Sequence, residues 1–337
     1  MATPPPLLKR IAWRVNAVRN WFSKPAGRRF TFFASIFMSV AILGLLADSI
    51  RRIGLRQLID VLPKSPLFWL LFLASYFLQP IIDWQIFRHW WKLGWRSLSL
   101  FLKRRVMNEA LFSYAGDAFL MAWSATHFNL MFNPDDMAAP KMGRGDGPGV
   151  HPAEAPIAAI KDVAITSGLA GNLFTLLMLG LAIALGGDAL MNSEVDPATV
   201  RRIVIGFTVL IGLSLGIVFN RNRLLSLTVR NNMRAFWLHL LRVSGIHFLL
   251  VATWVVALPA IPVGTWLVLG ALRLVIGRMP VPNKELLFAA LAVDLTGEAS
   301  VQVAALMAAQ GVLYLACHGL AWLLAIAIDE SEPAGQA

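Results

Sequence analysis

A single cysteine, Cys317, stands among the 337 residues, so an internal disulfide, a zinc cluster and a CxxC redox pair are all excluded. Cys317 lies in an apolar run, where it reads as a small packing residue. Charge is scarce as well: only 15% of residues are Asp, Glu, Lys or Arg. There is no Gly-rich phosphate loop, no HExxH, no GxSxG and no run of paired aspartates of the kind that holds magnesium for prenyl or phosphoryl transfer. Asp135 and Asp136 are adjacent but fall in a Pro/Gly stretch. No cofactor is expected.

What is abundant is apolar surface. Hydrophobic residues make up 57% of the chain, and the mean hydropathy is +0.64, more than a soluble domain tolerates. The formal charge of +11 does not indicate a nucleic-acid partner, because Lys and Arg cluster between apolar stretches as the positive-inside bias requires. The expected fold class is all-α: a polytopic integral membrane helical bundle with about six to eight spans plus two re-entrant or broken helices. The expected location is a bacterial-type cytoplasmic membrane, multi-pass, with the N-terminus cytoplasmic.

Three parts are expected. Residues 1–30 form a basic cytoplasmic tail, with Lys9, Arg10, Arg14, Arg19, Lys24, Arg28 and Arg29. Residues 31–328 form the transmembrane domain, in which 133–156 is a Pro/Gly-rich loop containing the triplet Arg144, Gly145, Asp146. Residues 329–337 form an acidic disordered tail. The run 31–47 is long enough to span and is followed by no small-x-small cleavage site, which favours an uncleaved anchor over a signal peptide. Residues 48–65 read as an interfacial amphipathic helix. The next span, 66 to about 87, ends in the headgroup-level cluster Arg88, His89, Trp90, Trp91, Lys92, Trp95, Arg96.

Further spans are expected at 163–185, 203–219, 243–258 and 300–328, with an acidic loop at 186–200 and a basic connection carrying Arg221, Arg223, Arg230, Arg234 and Arg242. If the N-terminus and this connection share the cytoplasmic side, an even number of crossings separates them. The spans beginning near residues 31, 66, 163 and 203 supply that number, so residues 107–127 should enter the membrane and return on the same side. One conflict stands: Arg51, Arg52, Arg56 and Lys64 then lie outside, relieved only by snorkelling. Residues 263–295 read as a second broken element of opposite sense, two apolar arms around a Pro-interrupted turn. Paired interrupted segments of this kind point to a substrate path.

The candidate substrate-binding residues follow from those two elements. The first carries Arg104, Arg105, Glu109, Tyr114 and Asp117, and a carboxylate such as Asp117 within apolar sequence is a functional candidate by default. Its structural alternative is a cap at the helix break beside Gly116. The second carries Arg273, Lys284 and Glu285, with Arg278 and Asn283 nearby, positive charge suited to a lipid phosphate. The alternative there is an ordinary solvated loop. Asp83 follows Pro80 and is read as satisfying a freed backbone group, Asp294 and Glu298 mark an interface, and His318 is read as an interhelical hydrogen-bonding residue. His127 near Asn129 is a faint acid/base candidate.

The stretch 48–94, NEALFSYAGDAFLMAWS at 108–124, PIAAIKDVAITSGLAGNLFTLLMLGLAIAL at 156–185 and RMPVPNKELLFAALAVDLTG at 278–297 resemble the transmembrane region of lysylphosphatidylglycerol synthases and its stand-alone relatives, the flippase-like membrane proteins. The likeness covers most of residues 31–328 and is one of pattern and spacing. Two departures stand out. The family's Gly-rich turn before a Glu is here Pro280, Val281, Pro282, Asn283, Lys284, Glu285, and the Arg expected after the first re-entrant helix is not evident near Asp117. Glu285 is the residue that carries over. The synthases add a soluble domain that uses charged tRNA; with nine residues after Ile328, lysine transfer is not expected. The resemblance implies flippase-like handling of an anionic or isoprenoid-linked lipid, with membrane lipids as partners. The alternatives are a membrane-embedded lipid-modifying transferase, with His127 or His318 as acid/base, and a scaffold that recruits cell-envelope lipid or glycan enzymes.

Overall fold

The computed structural model describes residues 62–110, 115–128, 156–191, 214–278 and 299–328, with 40, 44, 208–209, 211–212, 288, 292 and 296 in addition. The basic tail, nearly all of the expected first span, the interfacial segment up to 61, the Pro/Gly loop up to 155 and the acidic tail lie outside these residues, as do Asp294 and Glu298. The described residues are helical apart from short connections.

Helix α1, Pro66–Trp91, starts with proline in its first turn, where the missing N–H is an orphan anyway. After a short 3₁₀ turn, Trp95–Ser97, come α2, Leu98–Ala110, and α3, Ala115–His127. Helix α4 is Pro156–Met191, α5 is the single turn Arg221–Leu224, and α6 is Val229–Ala257. Thr228 caps α6, its hydroxyl accepting from the Asn231 amide at 3.3 Å. Helix α7 is Val263–Arg278 and α8 is Ser300–Ile328.

Four helices, α1, α4 (over Pro156–Leu185), α6 and α8, are long and apolar enough to cross a membrane. Helix α6 runs antiparallel to α1: its early residue Ala235 joins the cluster of Phe87, Trp90 and Trp91, whereas Trp254 near its end packs with Phe68. Helix α8 is parallel to α1, Tyr314 meeting Phe72 and His318 meeting Tyr76.

The shorter helices enter this frame from opposite ends. Helix α2 starts beside Phe87, through Phe101, and reaches Tyr76 with Arg105. Helix α3 then comes back, placing Trp123 and Phe128 against Trp91. Thirteen residues amount to about 20 Å of helix, short of the roughly 30 Å hydrocarbon layer. Helix α7 starts at the other end, where Trp266 lies 5.6 Å from Trp254, and passes His247 at Gly270. Phe288 lies 6.2 Å from Trp254, back towards the start of α8.

Some expected boundaries change. The segment 107–127 is two helices, the first beginning at Leu98. Residues 186–191 continue α4 instead of starting a loop. Arg230, Arg234 and Arg242 belong to α6, which begins 14 residues before the expected 243. Residues 62–65 are not helical, and the expected span at 203–219 is described only at 208–209, 211–212 and 214–219, all helical.

Candidate functional site

Pro80 lies inside α1. It donates no backbone hydrogen bond, so the carbonyl of Tyr76, one turn back, loses its helical partner. Arg105 of α2 donates a guanidinium N–H to that carbonyl. The freed group is therefore met by an arginine from a neighbouring helix, and Asp83 has a different role from the one its position suggested.

Asp83 is the centre of a chain of charges. Arg104 Nη1 donates to Asp83 Oδ2 at 2.8 Å, while its Nε and Nη2 donate to Asp117 Oδ1 at 2.9 and 2.6 Å. The other oxygen, Asp83 Oδ1, accepts from Arg242 Nη1 at 2.5 Å. Arg242 Nη2 in turn donates to Ser167 Oγ at 2.8 Å. Two arginines and two aspartates from α1, α2, α3 and α6 thus form a neutral chain anchored on α4. Its side chains are at most 14% exposed. Charges so placed need partners, since an unpaired ion in this setting is strongly destabilising.

Gly116 makes the chain possible. A Cβ there would sit 2.0 Å from the Arg104 carbonyl oxygen, so only glycine lets the start of α3 close on the backbone of α2. Asn108 Oδ1 accepts from the Gly116 amide at 2.7 Å, and one residue later Asp117 meets Arg104.

On the adjacent face of α2, Arg105 stacks over the Tyr76 ring at 4.0 Å, and its Nε lies 3.1 Å from Glu109 Oε1. Glu109 Oε2 is 3.4 Å from His318 Nε2, and the Tyr76 hydroxyl is 2.6 Å from His318 Nδ1. An ionised carboxylate only accepts, so in the neutral imidazole that carries its proton on Nε2, Nδ1 accepts from the tyrosine hydroxyl. His318 has the interhelical hydrogen-bonding role read from its position. A separate ionic contact secures the start of α6: Asp162 Oδ2 accepts from the Ser226 and Leu227 amides at 2.8 and 2.7 Å.

Arg273 belongs to neither cluster, although Tyr314 stands between it and Tyr76, 6.1 Å from the Tyr76 ring. It lies 5.9 Å from the Tyr314 ring and lines a cavity of about 330 Å³ with Gln79, His247, Trp254, Gly270 and Phe288. His247 Nε2 is buried there without a hydrogen-bond partner among the described residues. His127 stacks on Trp123 at 4.5 Å.

The fold therefore brings together Arg104 with Asp117, and Arg105 with Glu109, and sets Arg273 apart at a cavity. Tyr114, Lys284 and Glu285 lie outside the described residues. Arg242, Ser167 and Tyr76 were not singled out from sequence. For Arg242 a signal existed in Thr228, an N-cap residue that moves the helix start ahead of the arginines. Among the described residues no group of three or more His, Cys, Asp or Glu is placed to hold a metal ion. Comparison with protein-family models, with curated proteins and with solved structures gives no match.

Proposed function

We propose that the protein is a flippase-like membrane protein that moves an anionic or isoprenoid-linked lipid between leaflets or presents it across the membrane. The observation that carries this reading is the Arg273 cavity. It has mainly apolar and aromatic lining with one cation, Gln79 and His247, the composition expected of a pocket that accepts acyl or prenyl chains and holds one phosphate. A cation at this depth in an apolar bundle marks a substrate path by default. In this reading α2 with α3, and α7 with the arm through 288 and 292, are two re-entrant elements of inverted sense, and the cavity borders the second. Arg273 binds the headgroup, the apolar wall accepts the chain, and movement of α7 against α6 changes the side of access.

The test is leaflet-resolved accessibility of an anionic lipid in proteoliposomes. Arg273→Gln should abolish exchange with an unchanged thermal midpoint, since the change lies at a cavity lining; exchange at the normal rate would overturn the assignment. Glu285→Gln should act in the same direction. A second reading, a lipid-modifying enzyme, is favoured by His318, held between a tyrosine hydroxyl and a carboxylate as an acid/base group would be. A chemically altered lipid formed by the purified protein would select it, whereas redistribution of unchanged lipid selects the flippase.

A further inference from the structure

A second concavity lies at the other end of the α1/α6 seam. It has a volume of about 520 Å³ and is lined by Gln85, Arg88, His89, Lys92 and Leu93 from the end of α1 and by Arg234 from the start of α6. Arg88, Lys92 and Arg234 carry permanent charge, and none of them pairs with a carboxylate among the described residues. The nearest acidic side chain along α1, Asp83, is already neutralised by Arg104 and Arg242, so the concavity keeps its positive field.

Three further details distinguish it from a general excess of cytoplasmic charge. Arg88 is stacked over Trp84 at 4.5 Å, which fixes its guanidinium plane. The Arg88 carbonyl at the end of α1 accepts from the Lys92 and Leu93 amides, which removes one acceptor from the rim. Lys92 adopts φ 52°, ψ 37° and is the one non-glycine with positive φ among the described residues. Glycine takes this cap without strain; a lysine held there puts an ammonium in the concavity at a conformational cost, a pattern associated with function.

We propose that this basin binds the phosphate of an anionic lipid headgroup from the adjoining leaflet. Arginine forks and a lysine point charge are the standard phosphate partners. Trp95, 63% exposed at this end, and the half-buried Trp84 are the residue type that settles at headgroup depth, which favours a lipid over a soluble anion. The inference does not require transport: binding here and exchange through the Arg273 cavity are separate properties.

The experiment uses the full chain in nanodiscs of phosphatidylcholine with a minority of phosphatidylglycerol. Lipid retained by the protein after mild detergent extraction is quantified by mass spectrometry. Phosphatidylglycerol should be enriched over phosphatidylcholine, and R88Q/K92Q/R234Q should reduce the enrichment at least about tenfold, as expected when charge-assisted hydrogen bonds are removed. Lys92→Gly should weaken the enrichment while raising the thermal midpoint, because it relieves the left-handed cap; this separates loss of binding from loss of folding. Competition by soluble glycerol 3-phosphate at the same sites would support the phosphate chemistry and assign it to a soluble source, whereas its failure to compete supports the lipid. Undiminished enrichment in the triple variant, or no enrichment in the parent, overturns the proposal. The same comparison is made in an Arg273→Gln background, where the triple change should still lower the enrichment while leaflet exchange is scored separately, so failure of the exchange reading is distinguishable from failure of this one.

Discussion

The α2/α3 pair and the α7 region are both interruptions in a helical bundle, yet they are held in opposite ways. The first is bound by directional charge: Arg104 spans Asp83 and Asp117, and Arg105 meets the carbonyl that Pro80 leaves open. The second is bound by rings and aliphatic packing, with Trp254, Trp266 and Phe288 at its centre, and it borders a cavity. Separating buried ion partners strands charges in an apolar setting, whereas shifting packed rings exchanges one dispersion contact for another. The first pair is therefore a clasp, and in the proposed function the second is the element that moves.

The largest effect should come from Arg104→Met, which strands Asp117 and leaves Asp83 with Arg242 alone. A loss of about 3–5 kcal/mol is expected, read as a collapse of the thermal midpoint of the purified protein. Adding Asp117→Asn should recover part of it, since the unpaired charge goes too while Asp83 keeps Arg242. A single variant that melts with the parent would dissolve the contrast between the two regions. Gly116→Ala comes next: its methyl group overlaps the Arg104 carbonyl oxygen, and about 1–3 kcal/mol should be lost as α2 and α3 part. Hydrogen exchange should rise in both helices and not in α7. Smallest is Trp266→Phe, about 1.5 kcal/mol or less because an aromatic ring remains, with faster exchange confined to α7. Equal exchange throughout the bundle would show that the second region is no looser than the first.

Much of the frame was legible. Apolar length marked α1, α4 and α8. Charge parity led to the expectation of a re-entrant segment ending near His127; in the fold α2 and α3 form a pair whose second helix brings Trp123 and Phe128 back to Trp91. The start of α6 was not legible, for a specific reason. Arg230, Arg234 and Arg242 were counted as solvated loop charges, but Arg242 is offset by Asp83, 159 residues away in sequence, and a hydropathy count cannot register a charge neutralised from another helix. The same applies to Asp117: its exceptional position was visible, its partner on α2 was not. Tyr76 gave no signal at all, because a tyrosine in an apolar run is ordinary until a histidine from α8 faces it.

By itself the sequence determined a helical chain with spans long enough for a membrane and a strongly basic character, because length, periodicity and breaker residues act locally along the chain. The tertiary structure decided which charges are clasps and which line a cavity. Ion pairing depends on angstrom-scale distances between helices, and those distances are set by packing features such as the absent side chain at Gly116, whose consequence exists only once α3 lies against α2.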